Sequence, residues 1–228
     1  MSRNGSDDYE VIADACTNWW QELQSLNPAG KPVVFNSGGE KAPDRAALAQ
    51  LRRIGVIDLG GAPAVDVAGA LDVSAFRMLM LRLLTQLENN RIGSWQVKRW
   101  LESKGERWEP FAIAAATLAL IRTDAGGGRR GATAKLLGQP RGEGGEIEDR
   151  LFAEARFKRL IRTRDDWPGL FAQARRIAAI LNKEAPIGDL GASLILWNAD
   201  LHITRDWAFQ YYRRESAAPG REAGPANV

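Results

Sequence analysis

Trp167-Pro168-Gly169-Leu170-Phe171-Ala172-Gln173-Ala174-Arg175-Arg176-Ile177-Ala178-Ala179-Ile180-Leu181-Asn182-Lys183 is the stretch from which the fold can be read. Leu170, Phe171, Ala174, Ile177, Ala178 and Leu181 recur at the three- and four-residue spacing that gathers side chains on one face of a helix. With each residue turning the helix by about 100°, Arg176 falls opposite that stripe and Arg175 on its flank. The segment before it, about 146 to 163, follows the same rule. Ala153, Phe157, Leu160 and Ile161 group on one side, and Lys158, Arg159 and Arg162 on the other. Leu151 and Phe152 break this register, so the helix is expected to kink or to begin after them.

Outward from this pair the helical signals continue. Asp189 starts a helix with Leu194, Ile195 and Trp197, and a last one runs to Tyr211-Tyr212. The Ala/Gly/Pro-rich stretch 216–228 is expected to be a disordered tail. Towards the N-terminus, Asp7 and Asp8 cap a helix carrying Val11, Ile12, Ala15, Trp19, Leu23 and Leu26, and Pro43 opens a short one ending near Gly55. Ser74 and Ser94 cap helices reaching Glu88 and Lys104, and Pro110 opens an Ala-rich helix expected to reach Asp124. Only Val33-Val34-Phe35 offers a brief strand pairing. The pattern predicts an all-α, two-lobed helical bundle. The division falls at Gly126-Gly127-Gly128, with lobes over 1–125 and 129–215.

The chain has 228 residues, 45% hydrophobic and 26% charged, ordinary values for a globular protein with a real core. No apolar run approaches the roughly 20 residues needed to cross a bilayer. No apolar signal segment follows the single arginine near Met1, and one cysteine, Cys16, suits a reducing compartment. These features predict a cytoplasmic protein without membrane contact. The net charge is only +3, so distribution matters more than total. Arginines cluster at Arg52-Arg53, Arg129-Arg130, Arg156 to Arg164, Arg175-Arg176 and Arg213-Arg214, whereas the acids scatter. A helix face with several guanidinium groups and little acid suits phosphate, because each offers paired planar donors and each phosphate neutralised releases a counterion. The competing interpretation is a solvated face that keeps the protein in solution. Trp167 and the C-terminal tyrosines are candidates for stacking on bases. Trp19, Trp100, Trp197 and Trp207 are better read as core.

Signs of catalysis are weak. Gly126-Gly127-Gly128-Arg129-Arg130-Gly131 matches GxGxxG in letters, but the segment before it reads as helix, and no βαβ pattern surrounds it. It is expected to be a linker in which Arg129, Arg130 and nearby Lys135 grip a nucleic-acid backbone. His202, the single histidine, has neither a metal-ligand cluster nor a partnered nucleophile. Glu146, Glu148 and Asp149 sit at a predicted helix start, where acids complement the macrodipole. No catalytic residue, metal or cofactor is expected.

An ordered set of segments carries a family resemblance. Arg156 to Asp165, Ala174 to Leu181, Asp189-Leu190, Leu194 to Trp197 and Asp206 to Tyr212 resemble, in order and spacing, the CasB family. That family is the small subunit of the type I-E CRISPR surveillance complex, Cascade. Arg45 to Arg53 is similar to its N-terminal Ala/Leu-Arg-Arg element, and Gly131 to Leu137 to its central helix. Ser94 to Glu109, with three tryptophans, and the Gly-rich loop before Ile147 depart from the pattern. The resemblance implies a non-catalytic, two-lobed helical subunit present beside a second copy of itself. It would contact the backbone and large subunits and help hold crRNA, target DNA and the displaced strand. Base pairing would read the sequence while the protein holds backbone. It points to Arg52, Arg53, Lys158, Arg159, Arg162, Arg175 and Arg176 as nucleic-acid-binding residues, with Arg129, Arg130 and Lys135 added from their loop position. The alternative is a helical scaffold whose basic faces bind acidic protein partners.

Overall fold

Two helices buried along almost their whole length form the centre of the molecule. In a computed structural model the described residues are 5–27, 29–34, 40–54, 109–126, 129–141 and 150–213. Among them α1 spans Gly5–Leu23, α2 Arg45–Ile54, α3 Glu109–Leu118, α4 Ala132–Leu137, α5 Glu154–Ile161, α6 Trp167–Ile180, α7 Ile187–Leu196 and α8 Leu201–Tyr212. Every residue of α3 from Pro110 to Leu118 is buried, as is every residue of α7 from Ile187 to Ile195. A helix without an exposed face has to be surrounded, and here the others surround it. α1 and α3 pack against α7, and α6 and α2 pack against α3.

Small residues set the approach of α1 to α7. A Cβ added at Gly188 would come 2.9 Å from Thr17 Oγ1 and 3.0 Å from the Ala13 carbonyl. One added at Gly191 would lie 2.7 Å from Cys16 Sγ and 3.1 Å from Leu118 Cδ1, between α1 and α3 at once. The buried Cys16 thiol is pushed up to about 12 by desolvation, so it serves as packing and not as a nucleophile. Trp19, Trp20, Trp197 and Trp207 are buried, the packing role expected for three of them; Trp100 lies outside the described residues.

The all-α reading stands, with eight helices among the described residues. Several boundaries move. The Ala-rich helix stops at Leu118 instead of reaching Asp124, because the chain beyond it is drawn into backbone pairing. Thr123–Asp124 (β1) pairs in parallel with Glu184–Ala185 (β2), and Lys183 O accepts the Arg122 N–H at 2.7 Å. The helix drawn from about 146 starts only at Glu154, consistent with the register break at Leu151 and Phe152. Those two residues run alongside the end of α4. Phe152 N–H donates to Leu137 O at 3.0 Å, and Leu151 N–H to Gln139 O at 2.8 Å. Val34 makes one isolated bridge, to Glu40. The helices expected over 74–88 and 94–104, and the tail over 216–228, lie outside the described residues. Buried side chains before and after Gly126, from Tyr9 to Leu118 and from Ala134 to Tyr211, belong to one continuous cluster.

Candidate nucleic-acid interface

α5 and α6 are consecutive helices joined by only five residues, 162–166, which make the corner between them. Thr163 Oγ1–H donates to Leu160 O at 2.7 Å and ends α5. The Asp166 carboxylate accepts the Gly169 N–H at 2.9 Å and caps α6, with Pro168 in its first turn. Phe157 and Leu160 anchor α5 in the core, while Arg156, Lys158, Arg159 and Arg162 are exposed. On α6 the exposed residues Ala172, Arg175, Arg176 and Ala179 form one stripe opposite Leu170, Ala174, Ile177 and Ala178. The sequence of α6 contains no acid at all. Arg175 and Arg176 are exposed on this stripe between two alanines.

The other charges of the face differ in what holds them. Lys158 Nζ lies 2.7 Å from Glu154 Oε1, one turn back on α5. That contact draws the Glu154 carboxyl below its ordinary range and raises the Lys158 ammonium. Arg162 lies close enough to oppose the Lys158 charge. Arg159, Arg162 and Arg176 make no ion pair among the described residues. Arg156 and Arg164 are exposed on the same corner and extend it, although the periodicity of the two helices did not select them. Both sit within the Arg156 to Arg164 cluster, where exposure is the signal that identifies them.

Other sequence-selected residues face elsewhere. Arg52 is half-buried and donates from Nε to the Ala119 carbonyl at 2.7 Å, satisfying a carbonyl just past the end of α3. Arg53 lies on α2, but its side chain is outside the described residues. Arg130, 21% exposed, pairs through Nη2 with Asp200 at 2.9 Å. Its Nε sits 2.7 Å from Asp206 without hydrogen-bond alignment, and its guanidinium lies over the Tyr9 ring, 5.2 Å from the centroid. Arg130 therefore clamps the loop to α1 and α8. Arg129 and Lys135 are exposed near it, away from the α5–α6 corner in sequence. Trp167 is half-buried against the core, Tyr211 is buried, and Tyr212 is exposed.

The glycine-rich stretch takes a form that the sequence did not reveal. A strand does precede it, but β1 is two residues long and its partner β2 comes 60 residues later, so no dinucleotide unit forms. Gly131 adopts φ 83° and offers no side chain to cap α4. The cap comes from α7: the buried Asp189 carboxylate accepts the Gly131 N–H at 2.6 Å and the Thr133 N–H at 2.7 Å. An anion does sit at this helix start, and it belongs to the protein itself. Tyr9 Oη–H donates to Asp189 Oδ1. With that hydrogen committed, Ser193, 3.2 Å away, donates to Tyr9, and Trp207 Nε1–H donates to Ser193 Oγ at 2.8 Å. Burial raises the Asp189 carboxyl above its ordinary range, against the pull of its donors. Burial likewise raises the Tyr9 phenol. No local signal marks this role for Asp189, because its partners lie 56 and 58 residues away.

His202 is exposed in the first turn of α8, where its N–H donates to the Asp200 carboxylate at 2.8 Å. Among the described residues no group of His, Cys, Asp and Glu is placed to hold a metal ion. No helix among them is long and apolar enough to cross a membrane.

The family described as CRISPR-associated protein Cse2 matches residues 47–212, which include both basic helices, Asp189 and all of α8. The chain belongs to this Cse2 family. It is thereby a structural subunit of the CRISPR complex Cascade, working alongside other subunits, in agreement with the CasB resemblance of the sequence. Searches of curated proteins and of solved structures returned no match. The Cse2 match begins at Ala47, so α1, which contributes Tyr9 and the packing partner of α7, lies outside it.

Proposed function

We propose that this Cse2-family chain is a non-catalytic small subunit that holds nucleic-acid backbone along the α5–α6 corner, stabilising the paired crRNA and target DNA and retaining the displaced strand. One observation carries the reading: an acid-free helix exposes Arg175 and Arg176 between two alanines, and the helix before it, five residues away, exposes Arg159. Opening a DNA duplex and pairing it with RNA nearly balance in energy, so modest backbone contacts tip the exchange. Lys158 contributes less than its arginine neighbours because Glu154 already neutralises it in part. Arg129 and Lys135 form a secondary contact on the α4 side. Arg52 and Arg130 support the fold. The subunit works in the cytoplasm beside a second copy of itself and against the backbone and large subunits, as the family resemblance implies.

The test is binding of target DNA by the assembled complex carrying Arg159→Ala with Arg176→Ala, across a salt series. Each lost phosphate contact lowers the slope of log affinity against log salt by about one. The expected deficit is therefore greatest at low salt and shrinks as salt rises. Identical slopes for variant and parent would remove these two residues from the interface and favour a scaffold that binds acidic protein partners.

A further inference from the structure

Two basic residues that helical spacing does not select meet at the far end of α6. The helix closes with a Schellman arrangement, in which Asn182 N–H donates to Ala179 O at 3.1 Å and Lys183 N–H to Ala178 O at 3.0 Å. Asn182 and Lys183 both take left-handed backbone, with φ 51° and φ 67°. Asparagine suits that conformation, because its short polar side chain bonds locally. A lysine has no such reason to be there, and glycine would sit without the steric cost. The other non-glycine residues with positive φ among the described residues are Ser25 and Asp165, both short. Backbone pairing then fixes where Lys183 stands. Its carbonyl accepts the Arg122 N–H at 2.7 Å and the Thr123 N–H at 3.2 Å, at the start of the β1–β2 pairing. Arg122 and Lys183 are thus neighbours, and both are exposed. Neither makes an ion pair among the described residues. Two acids are close by in the chain. Asp124 Oδ1 accepts the Gly126 N–H at 3.0 Å and the Ile187 N–H at 3.2 Å, so backbone engages its charge. Glu184 is exposed, one negative charge against two positive ones.

We infer that Arg122 and Lys183 form a phosphate contact that extends the nucleic-acid surface past the C-terminal end of α6. The inference rests on the phosphate-binding reading above and adds to it two residues which that reading does not include. What points to a ligand is a lysine kept where glycine would cost less, since strain held in the backbone places one particular charged side chain. A cation beside the last carbonyls of a helix also complements the macrodipole, and this is the competing reason for Lys183. It does not account for Arg122, which the β1–β2 pairing brings in from another part of the chain. Together the two offer a phosphate the paired donors of a guanidinium and the point charge of an ammonium.

The test measures salt-dependent binding of target DNA by the assembled complex, beside urea unfolding of the isolated full chain. Lys183→Gly should raise the urea midpoint, because glycine relieves the strained backbone. The same change should weaken DNA binding about fivefold at low salt and lower the salt slope by about one. Arg122→Gln should lower the slope by a similar amount, and both changes together by about two. Stability gained while affinity is lost is a pairing that a merely structural lysine would not give. An unchanged slope for Lys183→Gly and Arg122→Gln overturns the contact. If Arg159→Ala with Arg176→Ala still lowers the slope, the α5–α6 reading stands alone; if that pair does not, both fall. A lower midpoint with an unchanged slope assigns Lys183 to the helix end and likewise overturns the contact. Loss of the double variant from an otherwise assembled complex, while the isolated chain unfolds no earlier than its parent, overturns it in favour of an acidic protein neighbour.

Discussion

The joint around Asp189 and the corner formed by α5 and α6 use charge in opposite ways. At the joint, charges are consumed. Asp189 takes three donors from two other elements, and Arg130 is spread over Asp200, Asp206 and the Tyr9 ring. At the corner, Arg159, Arg162 and Arg176 are exposed without an ion pair among the described residues. The same residue type thus fastens the fold in one region and is presented to solvent in the other. Spacing along a helix reveals the second use but not the first. The first depends on where distant elements bring their acids.

Breaking the joint should have the largest effect. Asp189→Ala would leave the Gly131 N–H and the Thr133 N–H buried without their acceptor and reduce the Tyr9 hydroxyl to its 3.2 Å contact with the residue-189 carbonyl. Each orphaned group costs about 1–3 kcal/mol, so a loss of about 4 kcal/mol in urea unfolding is expected. Asp189→Asn retains one acceptor oxygen but turns an amide donor towards another donor, and about 2 kcal/mol is expected. An Asp189→Ala protein as stable as its parent would show that the three donors find other partners.

Next in size is a change at the helix approach on which the joint depends. Gly191→Ala puts a methyl 2.7 Å from Cys16 Sγ and 3.1 Å from Leu118, in a place with neighbours from two helices. Overpacking of this kind costs about 1–3 kcal/mol. Thermal unfolding should show it, and reaction of Cys16 with a thiol reagent should quicken in step, because burial keeps that thiol unreactive in the native state.

What could be read from sequence follows the same division. The stripes of α5 and α6 were legible because their cores and charged faces repeat locally, within a few turns. The end of the Ala-rich helix was not, because Thr123 and Asp124 leave helical form to pair with Glu184 and Ala185, some 60 residues away. Arg129 and Arg130 look alike as neighbours in the sequence. Only the fold gives Arg130 the two α8-side carboxylates that take its charge and leaves Arg129 exposed. Tyr211 and Tyr212 divide similarly: helical rotation of one residue sends the first into the core, where its hydroxyl donates to Phe152 O at 2.5 Å, and the second to the surface.

A direct comparison of two arginines sharpens this division. Arg130→Ala should cost about 1–2 kcal/mol of stability, since its two ion pairs and ring contact are only partly screened, while lowering the salt slope of DNA binding little. Arg176→Ala should change stability by less than about 0.5 kcal/mol and lower that slope by about one. Chemical denaturation and salt-dependent binding on the same two variants give a crossed result. Equal effects in both assays would mean that the inward and outward roles are not separate.

The smallest expected effect has the opposite sign. Glu154 lies 2.7 Å from Lys158 and is the one acid paired with a cation on the α5 face among the described residues. Both side chains are largely exposed, so removing the contact should barely alter folding. Glu154→Gln would nevertheless release Lys158 for phosphate and remove a negative charge from the path of the strand. Affinity of the complex for DNA should rise about twofold at low salt, with a slightly steeper salt dependence, and the gain should vanish in Glu154→Gln with Lys158→Ala. A gain that persists without Lys158 would mean that repulsion by Glu154, not the restraint of Lys158, sets the effect. No gain in either variant would place the strand beyond the reach of this turn of α5, towards Arg175 and Arg176.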